Sequence, residues 1–177
     1  MKRGELEHII RAAATISADD EIVVIGSQAV LGQFPNAPPE LLVSNEADVY
    51  PRNWPERWEL IDGSIGELSP FHETFGYYAQ GVEPGTAILP RGWEQRLVPI
   101  ANANTRGATG LCLELHDLVI AKYVAGREKD YHFIEAAFRH HLLTLDTLVG
   151  RLAETDLPEA HRARILERAQ YDATRTA

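Results

Sequence analysis

This sequence has a single cysteine, no long apolar run and fewer positive than negative charges. Cys112 is the only cysteine, so no disulfide can form within the chain, and a reduced cytoplasmic setting is the simplest expectation. No stretch approaches the roughly 18 apolar residues that a membrane-spanning helix needs. The first residues, from Met1 to His8, are charged rather than apolar. We therefore expect a soluble protein with no membrane partner.

The charge balance argues against another class of function. The chain has 17 Lys and Arg residues against 26 Asp and Glu, which gives a formal net charge of -9. Non-specific affinity for nucleic acids comes mostly from Lys and Arg that neutralise phosphates, so a strong general binder of polyanions is not expected. Apolar residues, by contrast, make up 45% of the 177 residues. That is enough to bury a hydrophobic core.

The first part of the chain carries patterns typical of both helices and strands. Leu6, Ile9, Ile10 and Ala13 recur at helical spacing, which predicts an amphipathic helix over about residues 4–17. A short helix is expected after Gly26, and another across residues 54–66. Runs of β-branched and aromatic residues bounded by turn residues predict strands at 22–25, 41–50, 75–82, 86–89 and 94–100.

After Gly110 the apolar residues recur at helical spacing almost to the end of the chain. This pattern predicts a helical region with no further strands. We therefore expect two domains, which are an α/β core over residues 1–110 and a C-terminal helical subdomain over residues 111–177.

Gly26 and Ser27 directly follow the apolar strand predicted at 22–25. Glycine lets the backbone approach a ligand closely, and the start of the next helix offers unpaired N–H groups to an anion. The serine hydroxyl can add a hydrogen bond to a phosphate. The pair therefore predicts a phosphate site, although the same two residues could simply cap a helix.

Glu46 and Asp48 are separated by one residue on the second predicted strand. Side chains alternate between the two faces of a strand, so both carboxylates should project from one face while Ala47 points to the other. Such a pair is tolerated when it is exposed or bridged by a cation. One interpretation is Mg²⁺ held by both carboxylates and by nucleotide phosphates. The other is a solvated strand edge.

The segment from Lys122 to Asp130 combines several charges with a glycine. Gly126 costs about 1 kcal/mol relative to alanine inside a helix, so it indicates a break that presents Arg127, Lys129 and Asp130 from a turn. Cations at such a turn could hold a triphosphate. The alternative is a solvated charged turn between two helices.

Together these motifs resemble the nucleotidyltransferase-like proteins of the DNA polymerase β-like superfamily, related to AbiEii-type toxins. The resemblance rests on the apolar strand with Gly26-Ser27-x-Ala29, on Glu46-x-Asp48, and on the segment from Asp117 to Asp130, and it spans about residues 20–150. It implies an α+β fold in which a small mixed β-sheet is flanked by helices and followed by a C-terminal helical part.

The resemblance also implies a reaction and a set of site residues. A nucleoside monophosphate would pass from a nucleoside triphosphate to an RNA or protein acceptor, in a cytoplasmic protein that could belong to a toxin–antitoxin pair with an antitoxin partner. Glu46 and Asp48 would bind Mg²⁺ and, with Asp130, would be catalytic. The expected nucleotide-binding residues are Gly26, Ser27, Lys122, Arg127 and Lys129.

A departure from the family pattern keeps a second interpretation open. The family has a third acid on a neighbouring strand, yet residues 75–82 contain neither Asp nor Glu, and the nearest acids are Glu83 and Glu94. Together with the negative net charge, this favours a non-catalytic nucleotide-binding or protein-interaction module on the same fold. A third interpretation is a domain of sheet and helices with no nucleotide site.

Overall fold

The computed structural model describes residues 1–175, which form five strands and eight α-helices. The strands are β1 (Glu21–Val24), β2 (Glu46–Pro51), β3 (Tyr78–Gly81), β4 (Val98–Ile100) and β5 (Thr109–Cys112). The helices are α1 (Arg3–Ser17), α2 (Val30–Gln33), α3 (Trp58–Ile65), α4 (Pro70–Phe75), α5 (Leu115–Ala125), α6 (Glu128–Arg139), α7 (Leu145–Ala153) and α8 (Glu159–Arg175).

The five strands form one mixed sheet in the order β3-β2-β1-β5-β4. Strand β1 pairs antiparallel with β2 and parallel with β5. Strand β3 runs parallel to β2, and β4 runs antiparallel to β5. A small mixed sheet flanked by helices and followed in the chain by further helices confirms the predicted α+β fold class.

The chain divides into two compact units. The first, which we call the sheet unit, comprises Met1–Thr86 and Leu97–Glu114 and contains all five strands. The second, the helical unit, comprises Ala87–Arg96 and the chain from Leu115 onward. No helix within residues 1–175 combines the length and the apolar character needed to cross a membrane.

In the sheet unit the core lies between α1, α3 and the sheet. Strand β1 is central, and its Ile22, Val23 and Val24 are almost completely buried. Helix α1 lies very close to β5, because a Cβ built on Gly110 would be 2.3 Å from Cδ1 of Ile10. Only glycine at this position allows the helix to pack so closely on the strand. Cys112 is buried in the same sheet, as expected of a small core residue.

In the helical unit α5 is the central element, packed against both α6 and α7. Its buried residues lie on several sides of the helix, as expected for a helix that is surrounded by other elements. Helix α8 packs on α6 and α7. Gly126 ends α5 in the left-handed conformation, with a φ of 64°, so the predicted break in the helical run is confirmed. The predicted turn is shorter than expected, because Lys129 and Asp130 already belong to the first turn of α6.

Several predicted strands were wrong in extent or in kind. Strand β2 begins only at Glu46, because Pro39 starts a 3-10 turn that ends at Leu41. Residues 86–89 form no strand, and only residues 98–100 of the run 94–100 do. Strand β5 was missed, since a short, fully buried run lacks the alternation that distinguishes a strand from a helix.

The strand predicted at 75–82 is also shorter, because its first residue belongs to a helix. The Ser69 side chain accepts a hydrogen bond from the backbone N–H of His72 and so caps the start of α4. Gly76 ends that helix with a φ of 76°. Both are common helix-boundary signals, and they leave residues 78–81 for β3.

Candidate functional site

Two of the predicted motifs meet where β1 ends. The backbone N–H of Ile25 donates to the carbonyl of Asp48 at 3.0 Å, which extends the pairing of β1 and β2 by one step. A Cβ built on Gly26 would lie 1.9 Å from Oδ2 of Asp48. The carboxylate therefore lies directly against the glycine backbone, and no residue with a Cβ fits there without moving it. The two motifs form one locus in the sheet unit.

Glu46 and Asp48 follow the alternation predicted for a strand. Both are partly exposed, whereas Ala47 and Val49 are buried with exposures of 1% and 0%. Because alternate residues of a strand share a face, the two carboxylates project on the same side of β2. The apolar residues between them anchor the strand in the core.

Strand β3 places two uncharged residues beside these carboxylates. In the parallel pairing Glu46 lies opposite Tyr78, and Asp48 lies opposite Gln80. The Tyr78 hydroxyl donates to Oε2 of Glu46 at 3.1 Å. Burial, the hydrogen bond to Glu46 and the neighbouring negative charges together raise the pKa of Tyr78 to about 12. Tyr78 therefore keeps its proton at neutral pH and orients the Glu46 carboxylate as a donor.

The third acid of the family pattern has no equivalent on β3. Glu83 is exposed just after the strand, and Glu94 belongs to the helical unit. Glu67 is near enough to act on the pKa of Tyr78. Within residues 1–175, however, no three His, Cys, Asp or Glu side chains form a group that could hold a metal ion. Glu46 and Asp48 therefore supply two carboxylates and no more.

The turn after Gly26 is tighter than a regular helix start. Ser27–Ala29 forms a 3-10 turn, and α2 that follows has only four residues. Such a short element contributes little helix dipole. The groups that this turn offers to an anion are therefore the half-buried Ser27 side chain and the backbone.

Gln28, in the same turn, is completely buried. Neither of its amide atoms has a hydrogen-bond partner among the residues that the structure describes. A buried amide without partners is rare and unfavourable. Sequence reasoning missed both Gln28 and Tyr78. The only signal for Gln28 was a polar residue ahead of the apolar Ala29-Val30-Leu31 run. The contact of Tyr78 with Glu46 can be recognised only once the register of β2 and β3 is known.

The charged segment of the helical unit is organised around Asp130, which is completely buried. Its Oδ1 accepts from Nζ of Lys122 at 3.0 Å, and its Oδ2 accepts from Nε of Arg127 at 2.8 Å. Burial alone would raise the pKa of Asp130, but the hydrogen bonds and charges of Arg127 and Lys122 outweigh it and lower that pKa. Asp130 is thus an ionised buried carboxylate held by two cations.

The predicted cations of this segment have different environments. Lys122 is 6% exposed, and its Nζ lies 4.5 Å from the centre of the Phe133 ring, so it is a buried partner of Asp130. The Arg127 side chain is 61% exposed, and Lys129 in the first turn of α6 is also exposed. Of the three, only Arg127 and Lys129 present substantial surface.

These positions divide the predicted site residues into two groups. Gly26, Asp48 and Glu46 lie together in the sheet unit, next to Ser27. Lys122, Arg127 and Asp130 contact one another in the helical unit, with Lys129 beside them in sequence.

A comparison with known families identifies the kind of protein. A family model described as a nucleotidyltransferase of unknown function (DUF6036) matches residues 4–176. The chain belongs to this family. Membership confirms the nucleotidyltransferase-like part of the resemblance, while the DNA polymerase β-like superfamily and the relation to AbiEii-type toxins stay predictions. No curated protein and no solved structure matches the chain.

Proposed function

We propose that this protein transfers a nucleoside monophosphate from a nucleoside triphosphate to a hydroxyl group of an RNA or protein acceptor, with Mg²⁺ as cofactor. The acceptor oxygen forms a bond to the α-phosphorus, and the bond between the α-phosphorus and the bridging oxygen to the β-phosphate breaks. Pyrophosphate leaves, and the hydroxyl proton is lost to solvent or a base. Family membership supports the reaction class, and the contact between Asp48 and Gly26 carries the assignment to this locus.

That contact unites the two features that such chemistry needs. Gly26 is buried and has no Cβ, so the Asp48 carboxylate can lie directly against the backbone of the turn. Ser27 follows at the start of the turn and supplies a hydroxyl for a phosphate oxygen. Glu46 lies two residues before Asp48 on the same face of β2 and enlarges this acidic surface. The Tyr78 hydroxyl orients its carboxylate.

The two carboxylates fit the demands of Mg²⁺. This ion keeps several waters and is commonly held by one or two carboxylates together with substrate phosphates, rather than by a complete protein cage. Glu46 and Asp48 would be its protein ligands. When bound, it would neutralise charge on the phosphates and orient the attacking hydroxyl. Tyr78 donates to Glu46, so it limits which oxygen of that carboxylate faces the ligand.

The assignment of Lys122, Arg127 and Lys129 to nucleotide binding remains part of this proposal. Arg127 and Lys129 carry it best, because their side chains are exposed and charged. Asp130 contacts Lys122 and Arg127, so we propose that it positions Arg127 instead of taking part in the chemical step. A role as a toxin with an antitoxin partner in the cytoplasm belongs to the proposal as well, supported by the sequence resemblance alone.

A specific observation favours a second candidate function, a non-catalytic nucleotide-binding module. Tyr78 and Gln80 occupy the two β3 positions beside the carboxylates, where a third acid would complete a metal centre. Loss of one of three metal-binding acids cripples two-metal chemistry but leaves nucleotide binding intact. In this case the nucleotide would stabilise the protein without being consumed.

One experiment separates these functions. Purified protein is incubated with each α-labelled nucleoside triphosphate, with and without Mg²⁺, in a cell extract that supplies RNA and protein acceptors. We expect Mg²⁺-dependent label in a macromolecule, reduced by about 100-fold or more in Asp48→Ala and Glu46→Ala. Glu59→Gln is the matched control, because Glu59 is an exposed acid on α3 of the same unit. Labelled RNA or labelled protein then identifies the acceptor.

The same variants are tested by thermal unfolding with nucleotide. Stabilisation that requires Mg²⁺ and Asp48, without label transfer, would establish the binding module. Label transfer that persists in both alanine variants would show that the locus is not catalytic. If no nucleotide raises the melting temperature and no label is transferred, both functions are wrong for this locus.

A further inference from the structure

The sheet unit contains a cleft at the end of β1 that lies opposite to Gly26. Its volume is about 450 Å³, and Asp20, the residue just before β1, lies on its wall. Gly26 comes just after β1, so a strand step of about 3.3 Å per residue separates the two ends by roughly 20 Å. The cleft is formed by one side of α1 and by the loop that leads into β5. It is therefore distinct from the Gly26–Asp48 locus.

Two arginines line this cleft, one from each wall. Arg11 belongs to α1, and Arg106 belongs to the loop. Arg106 is exposed, and its side chain makes no hydrogen bond or ion pair with the rest of residues 1–175. Its backbone is left-handed, with a φ of 50°, and Gly107 follows with a φ of 94°. A left-handed backbone is unfavourable for a residue other than glycine. It persists only where the surrounding structure imposes it.

The surroundings of this loop are well defined. Glu7 of α1 is 4% exposed, and its two carboxylate oxygens accept from the side-chain amides of Asn102 and Asn104 at 2.7 and 2.8 Å. Arg11 donates to the carbonyl of Asn104. Thr105 is buried and exchanges hydrogen bonds with Asn102 at 3.0 and 3.1 Å. The loop is thus held on α1 by polar contacts, which places Arg106 before any ligand arrives.

The rest of the cleft suits the body of a small molecule. The His8 ring lies on its wall and is held by the Tyr77 hydroxyl at 2.8 Å, with the Phe71 ring centre 5.0 Å from its own. Burial and the nearby charge of Arg11 lower the pKa of His8, so it is a neutral aromatic surface at neutral pH. Ala12 and Ile16 add apolar area. Asp20 provides one acceptor for a hydroxyl or amino group.

We propose that this cleft binds a small phosphorylated molecule of about nucleotide size, with its phosphate held by Arg11 and Arg106 and its body against His8. Guanidinium groups bind phosphate through paired charge-assisted hydrogen bonds. A volume of about 450 Å³ is larger than a single anion needs and lies within the range of about 300–1,000 Å³ typical of small-molecule sites. This inference does not depend on the proposed transfer reaction.

An extended nucleic acid strand is the less suitable ligand. Strand binding draws on many Lys and Arg residues along a surface, whereas this chain has a formal net charge of -9 and the cleft contributes two cations beside one carboxylate. The positive charge is confined to this cleft, which suits a single phosphate group better than an extended strand.

The test uses adenosine 5′-monophosphate as the probe, with adenosine and inorganic phosphate for comparison, measured by calorimetry in the presence of EDTA. We expect the monophosphate to bind more tightly than either comparison compound. We also expect Arg106→Gln to weaken its binding by about tenfold. Arg52→Gln is the matched control, since Arg52 is a half-exposed arginine of the same unit that pairs with Glu21.

Arg106→Gly guards against a change of fold as the explanation, because glycine favours the left-handed backbone found at this position. Its melting temperature should stay at or above that of the wild type while monophosphate binding falls as in Arg106→Gln. Equal affinity in wild type and both Arg106 variants would overturn the proposal, as would binding of a short phosphorylated oligonucleotide alone. EDTA removes the Mg²⁺ that the proposed transfer reaction requires, so the dependence of monophosphate binding on Arg106 is judged separately from the fate of that reaction.

Discussion

The buried aspartates of the helical unit and the paired carboxylates of β2 differ in the use that the fold makes of them. In the helical unit, Asp117, Asp130 and Asp172 are each at most 1% exposed. Each contacts at least one arginine. In the sheet unit, Glu46 and Asp48 are partly exposed on one face of β2, beside a glycine turn. The three aspartates therefore serve packing, as the buried Glu7 does in the sheet unit, whereas Glu46 and Asp48 are presented at a surface.

The buried aspartates connect elements that would otherwise pack only through apolar contacts. Asp117 on α5 pairs with Arg96 at 2.8 Å and with Arg151 of α7 at 3.1 Å. Asp172 on α8 accepts from the Tyr123 hydroxyl of α5 at 3.0 Å. These pairs stabilise one arrangement of helices, because removal of either partner leaves a buried charge without compensation.

The largest effect that would test this comparison is on stability. Asp130→Asn should lower the free energy of unfolding by about 3–5 kcal/mol, since it leaves the buried Lys122 without its counter-charge. Asp117→Asn should have a comparable or smaller effect, because Arg96 and Arg151 are 21% and 24% exposed. Asp48→Asn should cost less than about 1 kcal/mol, because this side chain is partly exposed. Urea unfolding at neutral pH measures all three. A cost for Asp48→Asn as large as for the helical variants would show that Asp48 is structural too.

A change on the sheet side tests whether the Gly26–Asp48 contact is needed. In Gly26→Ala the new Cβ would meet Oδ2 of Asp48 at 1.9 Å, so we expect a loss of about 1–3 kcal/mol from overpacking. Asp48 should also shift, and Mg²⁺-dependent stabilisation by nucleotide should disappear.

The control for this change is Gly63→Ala. Gly63 lies in α3 with nothing within 4 Å of a built Cβ, so the substitution should stabilise the helix by about 0.5–1 kcal/mol. If both variants keep full nucleotide stabilisation, the contact between Gly26 and Asp48 is not part of a binding site.

The pH dependence of stability sharpens the comparison further. The pKa of Asp130 is lowered in the folded protein from its ordinary value of 3.8. Its contribution to stability is therefore fully present above that ordinary value and is lost as the pH falls through the lower folded pKa. Urea midpoints measured from neutral pH into the acid range should decline less steeply in Asp130→Asn than in the wild type. If the urea midpoints of Asp130→Asn and the wild type decline equally steeply as the pH falls, Asp130 does not contribute to the acid sensitivity of the protein.

The sequence predicted the local elements of the fold well where periodicity is strong. Helix α1 and strand β1 appeared within a residue or so of their predicted bounds. The errors fell on short elements. Strand β5 was taken for the start of the helical region, because a buried central strand pairs on both sides and shows no alternation. Residues 86–89 have strand-like composition but no neighbouring strand to pair with among the described residues.

The candidate site shows the same division between local and distant information. The placement of Glu46 and Asp48 on one face of β2 could be read directly from their spacing. The role of Asp130 could not, because a charged residue in a turn looks the same in sequence whether it is exposed or buried under two cations. The roles of Tyr78 and Gln28 depend on strand register and burial, which no local pattern encodes.

The sequence by itself determined the α+β class, the helix break at Gly126 and the paired carboxylates of β2. These features follow from periodicity and from the backbone preferences of single residues, which act over a few positions. Only the tertiary structure decided that Asp48 lies on Gly26, that Tyr78 holds Glu46, and that Asp130 is buried with Lys122 and Arg127. The Arg127–Asp130 pair itself is local, at i and i+3. The burial of Asp130 and the contacts of Asp48 and Tyr78 depend on helix packing and strand pairing, because contacts between residues distant in sequence form only when the chain folds.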